Sequence, residues 1–172
     1  MEHTLTEGKR SGPLVICESY PGLREAFKLM LDRQYRLVFA EQPHEIGSLL
    51  RAHKDTRLLI WDLDRPTGSL DETLKAICED RPLELPYRAT DDILVTLKTI
   101  RRDHPELRIL LVAGEFDVEF QIAAIQQCGL VNFLTKPWGS PAAVTEQIQV
   151  MLDDRKSSIR QWVLRVPLTN AS

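Results

Sequence analysis

Short apolar runs alternate along the chain with longer segments in which apolar residues recur every three or four positions. A continuous apolar run is typical of a strand that is buried on both faces of a parallel sheet. The runs predict five strands, at Leu14–Cys17, Tyr35–Ala40, Leu58–Trp61, Arg108–Val112 and Val131–Leu134. Asp62 directly follows the third of them.

The segments between the runs predict helices, because their apolar residues would share one face. Pro21 suits the first turn of the first helix, where a missing N–H costs little, and Gly129 suits the end of the fourth. The second helix has Ile46, Leu49 and Leu50 on one face. The later helices are expected at Ile93–Arg102, at Val118–Gln127, and from Pro141 to beyond Asp154.

Five repeats of strand and helix predict an α/β fold, a doubly wound parallel sheet of five strands with helices on both faces. Right-handed crossovers leave few topologies for such a chain. In open sheets of this kind, ligands bind at the carboxyl ends of the strands, near the point where the strand order reverses. The residues directly after each strand are therefore the first candidates for a functional site.

The length of 172 residues fits one domain. Residues 1–12 are polar and predict a flexible arm, residues 13–153 the α/β domain, and residues 154–172 a helical extension or tail. A segment at about 69–90 is extra to the strand and helix pattern and predicts an insertion after the third strand. We expect this insertion to be either a surface elaboration, which loops tolerate, or a lid or partner surface beside the strand ends.

Composition narrows the function classes. The net charge of −3 gives no global attraction to nucleic acids or to anionic membranes. The apolar runs are far shorter than a membrane span, and the N-terminus has no signal-peptide pattern. The three cysteines do not have metal-site spacing and are expected to be reduced, which favours a cytoplasmic location.

Acidic and basic side chains follow several of the strands. Glu18 and Ser19 follow the first strand, and Asp62 and Asp64 follow the third. Ala113 and Gly114 follow the fourth strand, and Lys136-Pro137 follows the fifth. Topology alone allows a solvated rim here, since charged residues are common at strand ends. It equally allows a site in which two or three acids and one lysine converge.

The order of these residues resembles the receiver domain of two-component response regulators, the CheY-like family with a flavodoxin-like fold. The resemblance is carried by Asp62 with Pro66 four positions later, by Lys136-Pro137, and by the segment Gly129–Trp138. It covers residues 13–153 apart from the insertion. It implies phosphorelay signalling rather than an enzyme, with a sensor histidine kinase or phosphotransfer protein upstream and a protein effector downstream.

The resemblance also implies roles for individual residues. Asp62 would accept the phosphoryl group, and Lys136 would contact that group. Phe133 would be the aromatic residue of the switch. A Mg²⁺ ion would be held by Glu18, by Asp62 and by the backbone carbonyl of Asp64.

Three departures qualify these roles. Ser19 stands where the family has a second acid, which makes Ser19 a doubtful metal ligand and leaves Mg²⁺ binding weakened. If the acid pair of the family is aligned one residue earlier in this sequence, Glu18 is the candidate for the direct ligand. Ala113 stands at the switch position, which in the family is a hydroxyl residue, and Phe133 lacks a phenolic hydroxyl. An alternative is therefore a pseudo-receiver that acts as a phosphorylation-independent interaction or dimerisation module.

The C-terminal segment carries apolar residues at near-heptad spacing, including Met151, Ile159 and Trp162. If the last helix continues through them, its stripe either pairs with a second copy of the chain or folds back onto the domain. The former predicts a homodimer through the last helices. No DNA-reading motif fits the tail, so DNA binding is not expected. A third hypothesis is an unrelated α/β enzyme on the same architecture, although no nucleotide-binding or nucleophile-elbow motif is present.

Overall fold

The computed structural model describes residues 11–64, 90–129 and 131–153. The expected insertion, apart from residue 90, and the expected tail at 154–172 lie outside the described residues. So do the first ten residues of the expected arm and the third cysteine, Cys78. Within the described part, no helix has the length and apolar character needed to cross a membrane.

The five predicted strands form one parallel sheet, ordered β2-β1-β3-β4-β5. The strands are β1 (Ser11–Cys17), β2 (Tyr35–Ala40), β3 (Leu58–Asp62), β4 (Arg108–Ala113) and β5 (Val131–Thr135). Their apolar sequences fit this arrangement, because each central strand is covered on both faces. The last three strands each extend one residue beyond the predicted end, so Asp62 is itself the last residue of β3.

In the described part of the chain, five helices follow the strands in alternation. They are α1 (Pro21–Leu31), α2 (Pro43–Ala52), α3 (Thr90–Asp103), α4 (Val118–Cys128) and α5 (Pro141–Leu152). The expected start at Pro21 is confirmed, and so is the cap at Gly129, which has a φ of 58° that suits glycine. Asp117 caps the start of α4 by accepting a hydrogen bond from the Phe120 N–H at 3.0 Å.

The helices divide between the two faces of the sheet, as a doubly wound fold requires. Alternate residues of β1 point to opposite faces, so Leu14 and Ile16 belong to one core cluster and Val15 and Cys17 to the other. The first cluster packs against α1 and α5, and the second against α2, α3 and α4. The predicted fold class is therefore confirmed. Cys17 and Cys128 are both buried, as expected for core residues.

Two further boundaries differ from the prediction in ways that change how the ends of the domain are described. β1 begins at Ser11, where Ser11 pairs with Tyr35, so the last two residues of the expected arm belong to the sheet. A Cβ atom at position 12 would clash with the backbone oxygen of Asp55, which explains why Gly12 is a glycine. The last helix does not run unbroken past Asp154, because α5 ends at Leu152 and Asp153 has extended backbone with a ψ of 106°.

The strand order reverses between β1 and β3, and this places the ends of those two strands at the natural site of an open sheet. β4 and β5 follow on the same side of β3. β4 ends at Ala113 and is followed by Gly114, and the small size of these two residues leaves space above the sheet. A long side chain from the end of β5 can therefore reach over β4 to β3.

Candidate functional site

Two acidic side chains are buried side by side at the carboxyl edge of the sheet. Asp62 ends β3 and is 5% exposed, while Glu18 follows β1 and is 1% exposed. They are the only buried charged residues in the described part of the chain. Their backbone is fixed by the sheet and its continuation, since the Glu18 N–H donates to the Ala40 carbonyl at 3.0 Å. The predicted convergence of these two acids is present.

Lys136 reaches the same place from the end of β5. Its Nζ lies 2.5 Å from Oδ2 of Asp62 and 3.2 Å from Oδ2 of Asp64. The approach to Asp62 is off the hydrogen-bonding direction, so this contact is an ion pair rather than an aligned hydrogen bond. Burial lowers the pKa of Lys136, but the contacts with the two aspartates outweigh it and hold the pKa above its ordinary value. Lys136 is therefore a cation at any physiological pH.

Glu18 lies in a less favourable environment. Its Oε1 accepts a hydrogen bond from the Tyr20 N–H at 2.7 Å, whereas no N–H or O–H group in the described residues donates to its buried Oε2. Burial, followed by a hydrogen bond to the Asp62 carboxyl, raises the pKa of Glu18 to about 8. The Tyr20 N–H and the Lys136 charge act in the opposite direction without cancelling this effect. Near neutral pH, Glu18 thus holds a proton that it can share with Asp62.

Asp64 makes contacts that sequence reasoning did not predict. Its N–H donates to Oδ1 of Asp62 at 2.8 Å. Its carboxylate turns toward β4, where Oδ2 accepts from the Gly114 N–H at 2.7 Å and also lies beside Lys136. The sequence pointed only to the backbone carbonyl of this residue, and nothing in the sequence gives the direction of an exposed side chain after a strand.

Ala113 and Phe133, the two positions expected to form the switch, lie in different surroundings. Ala113 is 4% exposed at the end of β4, and its carbonyl accepts from the Lys136 N–H at 2.8 Å. Phe133 is partly buried and packs edge-on against Phe116, with ring centroids 5.1 Å apart, and against Phe120 at 6.3 Å. An aromatic contact therefore links β5 to the loop between β4 and α4. The Lys136–Pro137 peptide bond is cis.

Ser19 is partly exposed, on the loop between β1 and α1. This loop is held by Arg24, whose Nη1 donates to the carbonyls of Glu18 at 3.1 Å and Ser19 at 3.2 Å. The guanidinium also pairs with Glu41 at 3.4 Å. The sequence analysis missed Arg24, although its position one turn into α1 was a signal that it could reach back to the loop.

The side chains near Asp62 can be compared with the ligands that the expected Mg²⁺ ion requires. Within the described residues, no three His, Cys, Asp or Glu side chains are arranged to hold a metal ion. Glu18 and Asp62 nevertheless bring two carboxyl groups together, and no group in the described residues donates a hydrogen bond to Oε2 of Glu18. Oxygen ligands of this kind suit a hard divalent cation. The residues therefore fit a weak site with two carboxylates, completed by backbone and solvent oxygens.

Comparison with known proteins gives structural matches only. No protein-family model matches the chain, and no curated protein matches it. Among solved structures, the receiver domain of an HD domain-containing protein from Pseudomonas fluorescens superposes with a TM-score of 0.60 at 17% identity, over 92% of this chain and 98% of the other. The fold is that of a receiver domain.

Other receiver structures match similarly. The Vibrio cholerae chemotaxis protein CheY4 gives a TM-score of 0.58 at 15% identity, over 81% of this chain and 98% of CheY4. A response regulator receiver protein from Pseudomonas putida gives 0.57 at 24% identity, over 80% and 95%. At these identities the likeness shows the receiver fold alone. Any role for the site residues has to be argued from their geometry.

We expect Glu18→Gln to stabilise the metal-free protein at alkaline pH. Because the folded-state pKa of Glu18 is raised from 4.5 to about 8, its contribution to stability is fully present below pH 4.5 and is lost as pH rises through about 8. The amide cannot ionise, so the variant should gain on the order of 2 kcal/mol over the natural chain at alkaline pH and nothing in acid. Urea unfolding across this pH range, in a chelating buffer, measures the difference.

The exposed Glu146 provides a matched control for the same substitution. Glu146→Gln should change the unfolding free energy little, because this side chain is solvated. A Glu18→Gln effect that is constant from acid to alkaline pH would contradict the burial of an ionisable carboxyl at this position.

Proposed function

We propose that the chain is a phosphorelay receiver in which Asp62 accepts a phosphoryl group. The observation that carries the proposal is the buried Asp62 carboxylate at the end of β3, with the Lys136 ammonium 2.5 Å away. A buried carboxylate that shares an edge of the sheet with a lysine and a second acid has the charges that phosphoryl transfer needs. The receiver fold around it supports the same reading.

The chemistry follows from these groups. An Asp62 oxygen forms a bond to phosphorus, while the bond from phosphorus to the nitrogen or oxygen of the donor breaks and the donor leaves with that electron pair. Because the transition state is loose and carries its charge on the phosphoryl oxygens, nearby cations stabilise it. Lys136 supplies one fixed positive charge. A Mg²⁺ ion, when bound by Asp62, Glu18 and the Asp64 carbonyl, would supply further neutralisation.

Glu18 would make the binding of Mg²⁺ depend on pH. With a pKa of about 8, it is largely protonated near neutral pH and must ionise to bind a cation. Mg²⁺ binding should therefore release a proton and weaken as the pH falls. Ser19 offers no charge to the cation, which keeps the affinity of the site low.

Incubation with a small acyl phosphate and Mg²⁺ tests the proposal. Intact-mass spectrometry should show an increase of one phosphoryl group, which chelation of Mg²⁺ reduces and Asp62→Asn abolishes. Asp55→Asn is the matched control, since Asp55 is exposed before β3, at the opposite end of the strand, and pairs only loosely with Arg36 at 3.9 Å. An adduct that still forms on Asp62→Asn would rule out Asp62 as the acceptor. So would the absence of an adduct on the natural chain with every phosphodonor tried.

The second candidate is a pseudo-receiver that binds partners or dimerises without phosphorylation. Two observations favour it: Ala113 has no hydroxyl for a phosphoryl oxygen, and Ser19 contributes no carboxylate. It predicts that Asp62→Asn leaves oligomeric state and partner binding unchanged. Light scattering with and without the phosphodonor separates the candidates, since the phosphorelay function expects the modification to change the association of the chain.

The partners in the proposal are a histidine kinase or phosphotransfer protein as donor and a protein effector as recipient of the signal. Dimerisation through the last helices remains a proposal as well, because its apolar stripe lies mostly after Asp153, outside the described residues. The chain would act in the cytoplasm, where such donors are found.

A further inference from the structure

One oxygen atom joins three elements of the site. Oδ2 of Asp64, just after β3, accepts a hydrogen bond from the Gly114 N–H at 2.7 Å and lies 3.2 Å from Nζ of Lys136. Gly114 begins the loop between β4 and α4, and Lys136 directly follows β5. The Asp64 side chain is about one third exposed, so it reaches these groups from the solvent side of the site.

The groups that Asp64 engages are those that an anion beside Asp62 would need. A phosphoryl group brings additional negative charge and three strong acceptor oxygens to the carboxylate that carries it. Lys136 is the cation in contact with Asp62, and the Gly114 N–H is a backbone donor aimed at the same side of the sheet. Ala113, the neighbouring residue, has no donor in its side chain.

The Asp64 carboxylate thus gives Lys136 a second negative partner in the absence of any ligand. A phosphoryl group that used the same lysine and N–H would have to displace this carboxylate or share the lysine with it. Because two anions that share one cation repel each other, the carboxylate should weaken the binding of any anion at Asp62.

We propose that Asp64 is a built-in competitor of the phosphoryl group, which occupies the Lys136 ammonium and the Gly114 N–H and so restrains the β4–α4 loop before modification. The inference rests on the proposed function, since it concerns how the Asp62 site is regulated. It extends that function, because it makes release of Asp64 from Lys136 and Gly114 a step in the response.

Two substitutions distinguish competition with the phosphoryl group from a purely structural role, in which Asp64 only holds the β4–α4 loop in place. Asp64→Asn keeps an oxygen that can accept from the Gly114 N–H but removes the charge beside Lys136, and Asp64→Ala removes both. Competition predicts that each variant binds an anion at Asp62 more tightly. A purely structural role predicts that the asparagine variant binds the anion like the natural chain. The alanine variant, whose loop is loosened, would then bind the anion less well.

Beryllofluoride with Mg²⁺ is the probe, and titration calorimetry measures its dissociation constant. Asp64→Asn and Asp64→Ala should each tighten binding about tenfold or more, the effect expected from removing one close negative charge. Asp55→Asn, which removes an exposed acid before β3, should leave the constant unchanged. Unchanged or weaker binding in both Asp64 variants would overturn the competition, as would the absence of binding to every variant.

The phosphodonor experiment keeps the two proposals apart. If the natural chain forms the Asp62 adduct and the Asp64 variants form it no faster and bind beryllofluoride no better, the competition fails while the phosphorelay function stands. If neither the natural chain nor Asp64→Asn forms an adduct, the phosphorelay function itself fails. Hydrogen exchange at the Gly114 amide adds an independent readout, since Asp64→Ala should lose protection there and an unchanged rate would contradict the restraint of the loop.

Discussion

Replacing Lys136 by methionine should lower the free energy of unfolding by about 2–4 kcal/mol near pH 8, because it leaves buried carboxyl groups without their cation. The side chain of Asp62 is 1% exposed, and Lys136 is the cation in contact with it. Methionine keeps most of the aliphatic volume, so packing changes little. The pKa of Lys136 is raised above its ordinary value of 10.5 in the folded protein. Its contribution to the free energy of unfolding is therefore fully present below pH 10.5 and is lost only in strong alkali.

The destabilisation by Lys136→Met should shrink as the pH falls below about 8, where Glu18 takes up a proton and the buried site holds one negative charge fewer. Urea unfolding at several pH values measures this dependence. Lys28→Met is a matched control, since Lys28 forms an ion pair of the same 2.5 Å length with Glu25, but on the surface, with side chains 48% and 64% exposed. Surface pairs contribute about 0–1 kcal/mol, so an equal loss in both variants would contradict the burial argument.

Replacing Arg101 by methionine should also lower the free energy of unfolding by about 2–4 kcal/mol, because several backbone carbonyls would lose a charged donor. Its guanidinium donates to the carbonyls of Cys128 at 2.5 Å, Pro105 at 2.6 Å and Leu107 at 2.8 Å. The side chain thereby ties the end of α3 to the start of β4 and to the end of α4. Burial lowers the pKa of Arg101, but the group remains charged.

The neighbouring Arg102 provides the control for this substitution. It is solvent-exposed and pairs with the adjacent Asp103 at 2.8 Å. Arg102→Met should therefore change the unfolding free energy by less than about 0.5 kcal/mol. Comparable losses in the two variants, measured by denaturant unfolding, would show that the carbonyl contacts of Arg101 do not contribute as argued.

The sequence was sufficient to predict the fold because the central strands are buried on both faces. The apolar runs of β3 and β4 admit few other structures, and the glycine after α4 marks the end of that helix. Boundaries were less certain. Asp153 carries no Pro or Gly signal, so the apolar spacing that continues beyond it predicted an unbroken helix, whereas the chain becomes extended there.

The candidate site was predictable where strand ends determine it. Asp62, Glu18 and Lys136 meet because parallel strands bring their carboxyl ends to one edge. The position of the Asp64 carboxylate was not predictable, because it depends on the direction of a side chain in a loop and on a backbone N–H fifty residues away in sequence. The raised pKa of Glu18 was likewise hidden, since it depends on burial beside Asp62 rather than on residue type.

The most direct test of the central claim is to locate the phosphoryl group. The natural chain would be treated with a small acyl phosphate and Mg²⁺, digested under mild conditions and analysed by peptide mass spectrometry. We predict that the added phosphoryl group resides on the peptide containing Asp62, and that it is absent from the same peptide of Asp62→Asn. A phosphoryl group found on any other residue, or on none, would contradict the assignment of Asp62 as the acceptor.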